Sequence, residues 1–172
     1  MKLISILFAA ALVFVGCDDH DHDHGHGHGH GAEGGIAGAI EEGCEHLQQG
    51  PATAVTAGAE ATGAPAGYFE HQRVDVTLAD DGNGGFEGYL TLNIPAAGEA
   101  VFVLDPTTTL GLSAGGTAIT AESSEDNPSE CAAASRLVIF DVGVGEHILH
   151  VQSAAGSTAS AEVSYVLEVV SE

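Results

Sequence analysis

Residues 86–94 read FEGYLTLNI, a run in which apolar and polar side chains alternate. Gly88, Leu90, Leu92 and Ile94 share one face of this run, because successive side chains of a β-strand point to opposite sides. The spacing therefore predicts a strand with one face in a core and the other face towards solvent.

Similar short runs recur outward from this segment in both directions, separated by Gly, Pro, Asn and Asp. The predicted strands span 53–57, 72–79, 86–94, 99–104, 109–113, 117–121, 136–142, 146–152 and 162–170. Alternation also assigns inward positions on the second and the last of them, namely Val74, Val76, Leu78, Val163, Tyr165, Leu167 and Val169. Strands this short, without helical periodicity, predict an all-β fold, either an antiparallel β-sandwich or a jelly roll.

The composition limits the partners that the chain can have. It has 172 residues, which is typical of one domain, and 3 Lys and Arg against 25 Asp and Glu give a formal net charge of −22. Such a surface repels phosphate, so nucleic acid and anionic lipid headgroups are poor candidate partners, whereas dissolved cations are attracted.

The N-terminus has the pattern of an export signal. Residues 1–16 carry Lys2 and then an apolar run that is too short to span a membrane, and Gly16-Cys17 follows. With Phe14 where Leu is usual, this end of the run resembles the lipobox of bacterial lipoproteins. The resemblance implies a signal peptide over 1–16, lipidation of Cys17, and anchoring to a membrane of the bacterial envelope, periplasmic or surface-facing. An ordinary cleaved signal peptide is the alternative.

Two cysteines remain for the rest of the chain, Cys44 and Cys131, 87 positions apart. An even pair in an oxidising compartment predicts a disulfide. Metal ligation by one or both thiolates is the alternative, although neither cysteine lies in a C-x-x-C spacing.

A histidine tract follows Cys17 directly, and six of the ten histidines fall within eleven residues of it. Neutral imidazole and carboxylate are ligands for divalent transition metals, and the tract has no apolar side chain with which to fold. The predicted ligands are His20, His22, His24, His26, His28, His30, Asp19, Asp21 and Asp23. Zinc is expected first, then nickel, cobalt or copper(II). A low-complexity expansion without a role is the alternative.

Composition also predicts how the chain is divided. Residues 17–43 are expected to be a disordered Asp/His/Gly tract and a linker, with at most one helical turn near residues 40–42. The β-sandwich domain is then expected over 44–172.

Three histidines of the predicted domain directly follow glutamate, namely His46, His71 and His147. If they converge, they could form an ordered divalent-metal site in which carboxylates steady the rings. His147 and His150 are three positions apart, so a regular strand points them to opposite faces and only one of them can join a given site. The alternative is that these histidines are unrelated surface or hydrogen-bonded side chains.

One further motif is acidic and rich in glycine. Residues 80–85 read DDGNGG, which lacks the later ligand positions of a calcium loop. The motif therefore predicts a hairpin turn, with calcium binding as the alternative.

Two resemblances concern this predicted domain. The patterns GYLTL at 88–92, AVFVL at 100–104, GEHILHV at 145–151 and YVLEV at 165–169 are similar to bacterial pre-peptidase C-terminal domains. That resemblance implies a β-sandwich that binds or supports rather than catalyses. Residues 44–51 and 71–76 are similar to small His-rich bacterial lipoproteins of metal handling.

The expected function is an extracytoplasmic lipoprotein that captures divalent metal and buffers it or passes it to a membrane transporter. We expect no enzyme. One alternative is a structural lipoprotein whose β-sandwich binds a partner. Another is a periplasmic metalloenzyme that resembles copper-zinc superoxide dismutase, although the sequence after Cys44 lacks the His-x-His pair that holds copper there.

Overall fold

The computed structural model describes residues 35–67, 72–106, 108–153 and 159–169. Within these ranges the chain forms one α-helix and eleven β-strands. The elements are α1 (Gly35–Gln49), β1 (Ala52–Thr56), β2 (Arg73–Thr77), β3 (Ala79–Asp80), β4 (Phe86–Ile94), β5 (Gly98–Asp105), β6 (Thr109–Ala114), β7 (Thr117–Ile119), β8 (Ser123–Asp126), β9 (Arg136–Val142), β10 (Gly145–Ser153) and β11 (Ser160–Val169). Among the described residues, no helix is long and apolar enough to cross a membrane.

The strands form two sheets that pack face to face. One sheet has the order β1-β2-β11-β5-β9-β8, and the other has the order β3-β4-β10-β6-β7. All strand neighbours are antiparallel except β1 and β2, which run parallel. The predicted antiparallel β-sandwich is confirmed.

The predicted strand positions agree closely with the observed ones. Each of the nine predicted strands overlaps an observed strand, and the predicted strand 72–79 is divided at Leu78 into β2 and β3. Sequence alternation did not indicate β8, because its four residues are polar and all of them are exposed.

The main core lies between the two sheets. Phe102 of β5 and Phe140 of β9 meet edge to face with ring centroids 5.9 Å apart, and both side chains are buried. Leu90 of β4 and Leu149 of β10 pack against them from the five-stranded sheet. On β2 and β4 the inward positions predicted from alternation are buried, as expected.

A helix occupies part of the segment for which composition predicts a linker. Residues 35–43 are the first nine residues of α1, so the expectation of at most one helical turn is wrong. Ile40, Cys44 and Leu47 recur at helical spacing and pack on Val103 and other side chains of the six-stranded sheet, so tertiary burial stabilises a helix that glycine disfavours. The predicted boundary at Cys44 falls inside this helix.

The six-stranded sheet is therefore covered on both faces where α1 packs on β5 and β11. On β5, Phe102 and Leu104 face the main core, whereas Val101 and Val103 face α1. The described molecule has three layers, with α1 outside the six-stranded sheet and the five-stranded sheet on the other side.

The predicted disulfide between Cys44 and Cys131 is formed. The two Cα atoms lie 5.6 Å apart, and both residues are buried. The bond ties the helix to the loop between β8 and β9, so it holds the helical layer against the sheet.

Candidate functional site

Most of the predicted metal ligands cannot be placed in this fold. The nine ligands predicted between Asp19 and His30, the predicted lipidation site Cys17, and His71 all lie outside the described residues. Their roles stay predictions. Of the predicted metal ligands, His46 and His147 are described.

His46 belongs to the last turn of α1. Its side chain is 13% exposed, and its Nε2 lies 3.8 Å from Oε1 of Glu42, one helical turn earlier. This spacing is the usual i, i+4 pairing on a helix surface. His46 therefore lies in the helical layer.

His147 lies near the start of β10 and is 2% exposed. It shares a face with Leu149 and Val151, so it points between the two sheets, and its Nδ1 lies 3.0 Å from the carbonyl oxygen of Gly145. A carbonyl only accepts hydrogen bonds, so Nδ1 carries the proton. The ring is held by its own strand rather than by a cluster of ligands.

The structure does not bring His46 and His147 together. His46 lies on the outer side of the six-stranded sheet, and His147 faces that sheet from the inner side. Across the described ranges, no group of three or more His, Cys, Asp or Glu side chains is arranged to hold a metal ion.

His150 faces away from the core, so the prediction that His147 and His150 point to opposite faces is confirmed. Its ring stacks on Tyr89 of β4 with centroids 4.2 Å apart and planes 8° from parallel. Its Nε2 lies 3.0 Å from Oε2 of Glu87. Burial, and to a smaller extent the charge of Glu87, raise the pKa of Tyr89.

Sequence reasoning missed this cluster of Glu87, Tyr89 and His150, which we call the outer-face cluster. Alternation places each residue on the outer face of its strand, but the pairing of β4 with β10 cannot be derived from alternation. Glu87 and His150 could supply two metal ligands, whereas zinc takes four, so the cluster alone does not complete a zinc site.

The motif at residues 80–85 is a turn, as predicted. The carboxylate of Asp81 accepts hydrogen bonds from the backbone N–H groups of Asn83, at 2.7 Å, and Gly85, at 3.0 Å. The turn connects β3 to β4, which are antiparallel. The Asp81 oxygen that accepts both bonds is thus used to hold the loop.

Both arginines of the described residues are used in ion pairs. The Nε of Arg73 lies 2.8 Å from Asp75, and its Nη1 lies 3.4 Å from Glu162. The Nε of Arg136 lies 2.7 Å from Asp126, and this hydrogen bond lowers the pKa of Asp126. Because these two cations are engaged, the remaining carboxylates give the domain an acidic surface.

No protein-family profile and no curated protein match the chain. Among solved structures, the pre-peptidase C-terminal domain of a collagenase from Bacillus anthracis matches 69% of this chain and 98% of its own length, with 11% sequence identity and a TM-score of 0.37. The two sheets of the structure itself define the β-sandwich.

Proposed function

We propose that this chain is an extracytoplasmic lipoprotein that binds divalent transition metal, zinc first, through residues 18–31. The observation that carries the proposal is the concentration of six histidines within residues 20–30, alternating with Asp or Gly. Neutral imidazoles are the commonest ligands for such ions, and neighbouring carboxylates add negative potential.

The folded domain supports this proposal through its charge. Arg73 and Arg136 are both paired with carboxylates, and acidic side chains outnumber them across the sheets. An acidic surface raises the local concentration of cations, which favours capture by the tract. His46 and His147 are not assigned to an ordered site, because they lie in different layers.

Calorimetry on the purified full-length chain tests the tract. We expect several equivalents of zinc per chain at neutral pH, and we expect most of them to be lost when residues 20–30 are deleted. A matched variant replaces two described histidines instead, His46→Gln with His150→Gln, and should keep the stoichiometry. Unchanged stoichiometry after the deletion would overturn the proposal.

Protons compete with the metal for the same nitrogens, so the proposal also fixes a pH dependence. Imidazole titrates near pH 6.5, and bound zinc should be released as the pH falls below about 6. Equilibrium dialysis at a series of pH values measures this release. Zinc retained in full at about pH 4.5 would mean that carboxylates rather than imidazoles hold the ion.

Anchoring is tested separately from metal binding. Expression of the Cys17→Ser variant in a bacterial host should move the protein from the membrane fraction to the soluble fraction, because the thiol that would carry lipid is gone. Retention of this variant in the membrane fraction would leave metal binding untouched and remove the lipoprotein part of the proposal.

A further inference from the structure

The two sheets end in four edge strands, and three of these edges have features that discourage pairing with another chain. β3 has two residues and β7 has three, which gives a partner strand little to pair with. β8 carries Glu125 and Asp126, and Asp126 is held by Arg136. Short length and charge are common ways in which proteins protect sheet edges.

β1 has neither feature. Its five residues read ATAVT, without a charge, a proline or a glycine, and four of the five are exposed. β1 pairs with β2 on one side, and within the described ranges no strand pairs with its other side. The helix packs mainly over β11 and β5, so it does not cover this edge.

The hydrogen bonds to β2 fix which backbone groups of β1 face outward. The N–H of Arg73 donates to the carbonyl of Pro51, and the N–H of Ala57 donates to the carbonyl of Thr77, each at 3.0 Å. In a parallel ladder every second residue bonds to the neighbour, so residues 53 and 55 also face β2. Residues 52, 54 and 56 therefore direct their N–H and C=O groups to the open edge.

Side chains beside this edge indicate the charge of a partner. Ala54 pairs with Asp75, and Asp75 pairs with Glu162 on the next strand. The guanidinium of Arg73 contacts both carboxylates, so the three side chains together keep a net charge of −1. The carboxyl side chains of Asp75 and Glu162 are 41% and 42% exposed.

A cation on an added strand could reach this group. A residue opposite Ala54 would lie two strand spacings, about 9.6 Å, from Asp75. The methyl group of Ala54 is small and exposed, so a lysine or arginine side chain can extend across it towards the carboxylate.

We infer that β1 is a docking edge for an extended segment of another polypeptide that carries lysine or arginine on alternate positions. Backbone hydrogen bonds to residues 52, 54 and 56 supply the pairing, and the carboxylates of Asp75 and Glu162 select the basic side chains. This inference is independent of metal binding by the tract.

Fluorescence anisotropy with a labelled nine-residue peptide tests the inference on the full-length chain. The probe alternates lysine with valine or threonine, and a matched peptide has glutamate in place of lysine. We expect the lysine peptide to bind, with an affinity that falls as salt is raised, and the glutamate peptide to bind at least tenfold more weakly. Equal binding of both peptides would overturn the charge argument.

Two changes test the backbone pairing. Ala54→Pro removes an N–H that faces the open edge and leaves the bonds between β1 and β2 in place, so peptide affinity should fall at least tenfold. A lysine peptide methylated on alternate backbone nitrogens makes the same test without changing the protein, which covers the case of a variant that does not fold. Unchanged affinity in the methylated-peptide arm would overturn the inference.

Charge variants locate the site. Asp75→Asn should weaken binding of the lysine peptide several-fold and reduce its salt dependence, whereas Asp141→Asn, an exposed carboxylate on β9, should not. Equal effects of the two substitutions would overturn the inference, because they would mean nonspecific attraction to an acidic surface. Sedimentation that shows dimers in the wild-type chain but monomers in Ala54→Pro would also overturn the inference, in favour of a second copy as the occupant.

Discussion

The two sheets of the sandwich are buried to different extents, and their sequences differ accordingly. In the five-stranded sheet, β4 and β10 bury every second residue and leave the outer face half-exposed. In the six-stranded sheet, β5 buries five consecutive side chains from Ala100 to Leu104. A continuous apolar run therefore marks a strand that is covered on both faces, and alternation marks a strand that is covered on one.

The largest expected effect on stability comes from removing the disulfide that holds the helix on the six-stranded sheet. The double variant Cys44→Ser and Cys131→Ser releases the link that ties the helix to the six-stranded sheet. For a closed loop of 87 residues, the chain-entropy model predicts a loss of about 4 to 5 kcal/mol in the free energy of unfolding. Urea denaturation measures the loss, and a value below about 1 kcal/mol would contradict the role given to the bond.

A pair of truncations compares the outer faces of the two sheets directly. Val103→Ala removes contacts beneath the helix and should cost about 2 kcal/mol, because Val103 is fully buried. Ile148→Ala lies on the half-exposed outer face of β10 and should cost about 1 kcal/mol or less. Thermal or urea denaturation of the two variants gives the comparison, and equal losses would show that the helix adds little burial.

The smallest expected effect is on stability at alkaline pH, where replacing either of two tyrosines should change how far stability decreases. Tyr165 packs on Phe102 at the main core, and burial raises its pKa well above the ordinary value of 10.0. The unfolded chain loses this proton near pH 10 while the folded chain keeps it, so stability should decrease as the pH rises above 10. Tyr165→Phe should remove about 1 kcal/mol of that decrease by pH 11.

Tyr89→Phe is the matched control on the outer face of the five-stranded sheet. Its pKa is raised too, but it lies beside solvent, so its removal should change the alkaline decrease less than the removal of Tyr165 does. Urea denaturation between pH 9 and 11 measures both variants. A larger effect from Tyr89→Phe would reverse the expected order.

Much of the sandwich could be predicted from sequence because alternation is a local signal. The segments around Leu90 and Val74 show period-two burial, and their strands lie where the pattern places them. The five residues at 100–104 are apolar throughout, which is typical of a strand buried on both faces, but such a run does not say which element covers the second face.

The helix was missed because glycine, which disfavours helices, occurs three times in its first nine residues, at positions 35, 38 and 43. Gly43 disfavours a helix in isolation, but here it allows close packing, since a Cβ at this position would lie 2.9 Å from Cγ2 of Val103. Tertiary contact therefore overrides propensity.

The candidate sites depended on pairing between distant strands. Glu87 and His150 are 63 positions apart and meet because β4 and β10 are neighbours. No periodicity in either segment encodes that contact. The separation of His46 from His147 likewise follows from the helical layer that composition did not indicate.

The disulfide also determines how the domain would respond to mechanical load. A pull on the N-terminus could unravel the helix from Gly35 only as far as Cys44, because the next covalent path runs through the bond to Cys131. Tension would then bypass residues 45–130, which include β1 to β8, and enter the chain at Cys131. The first eight strands would therefore be shielded from force applied between the two ends of the chain.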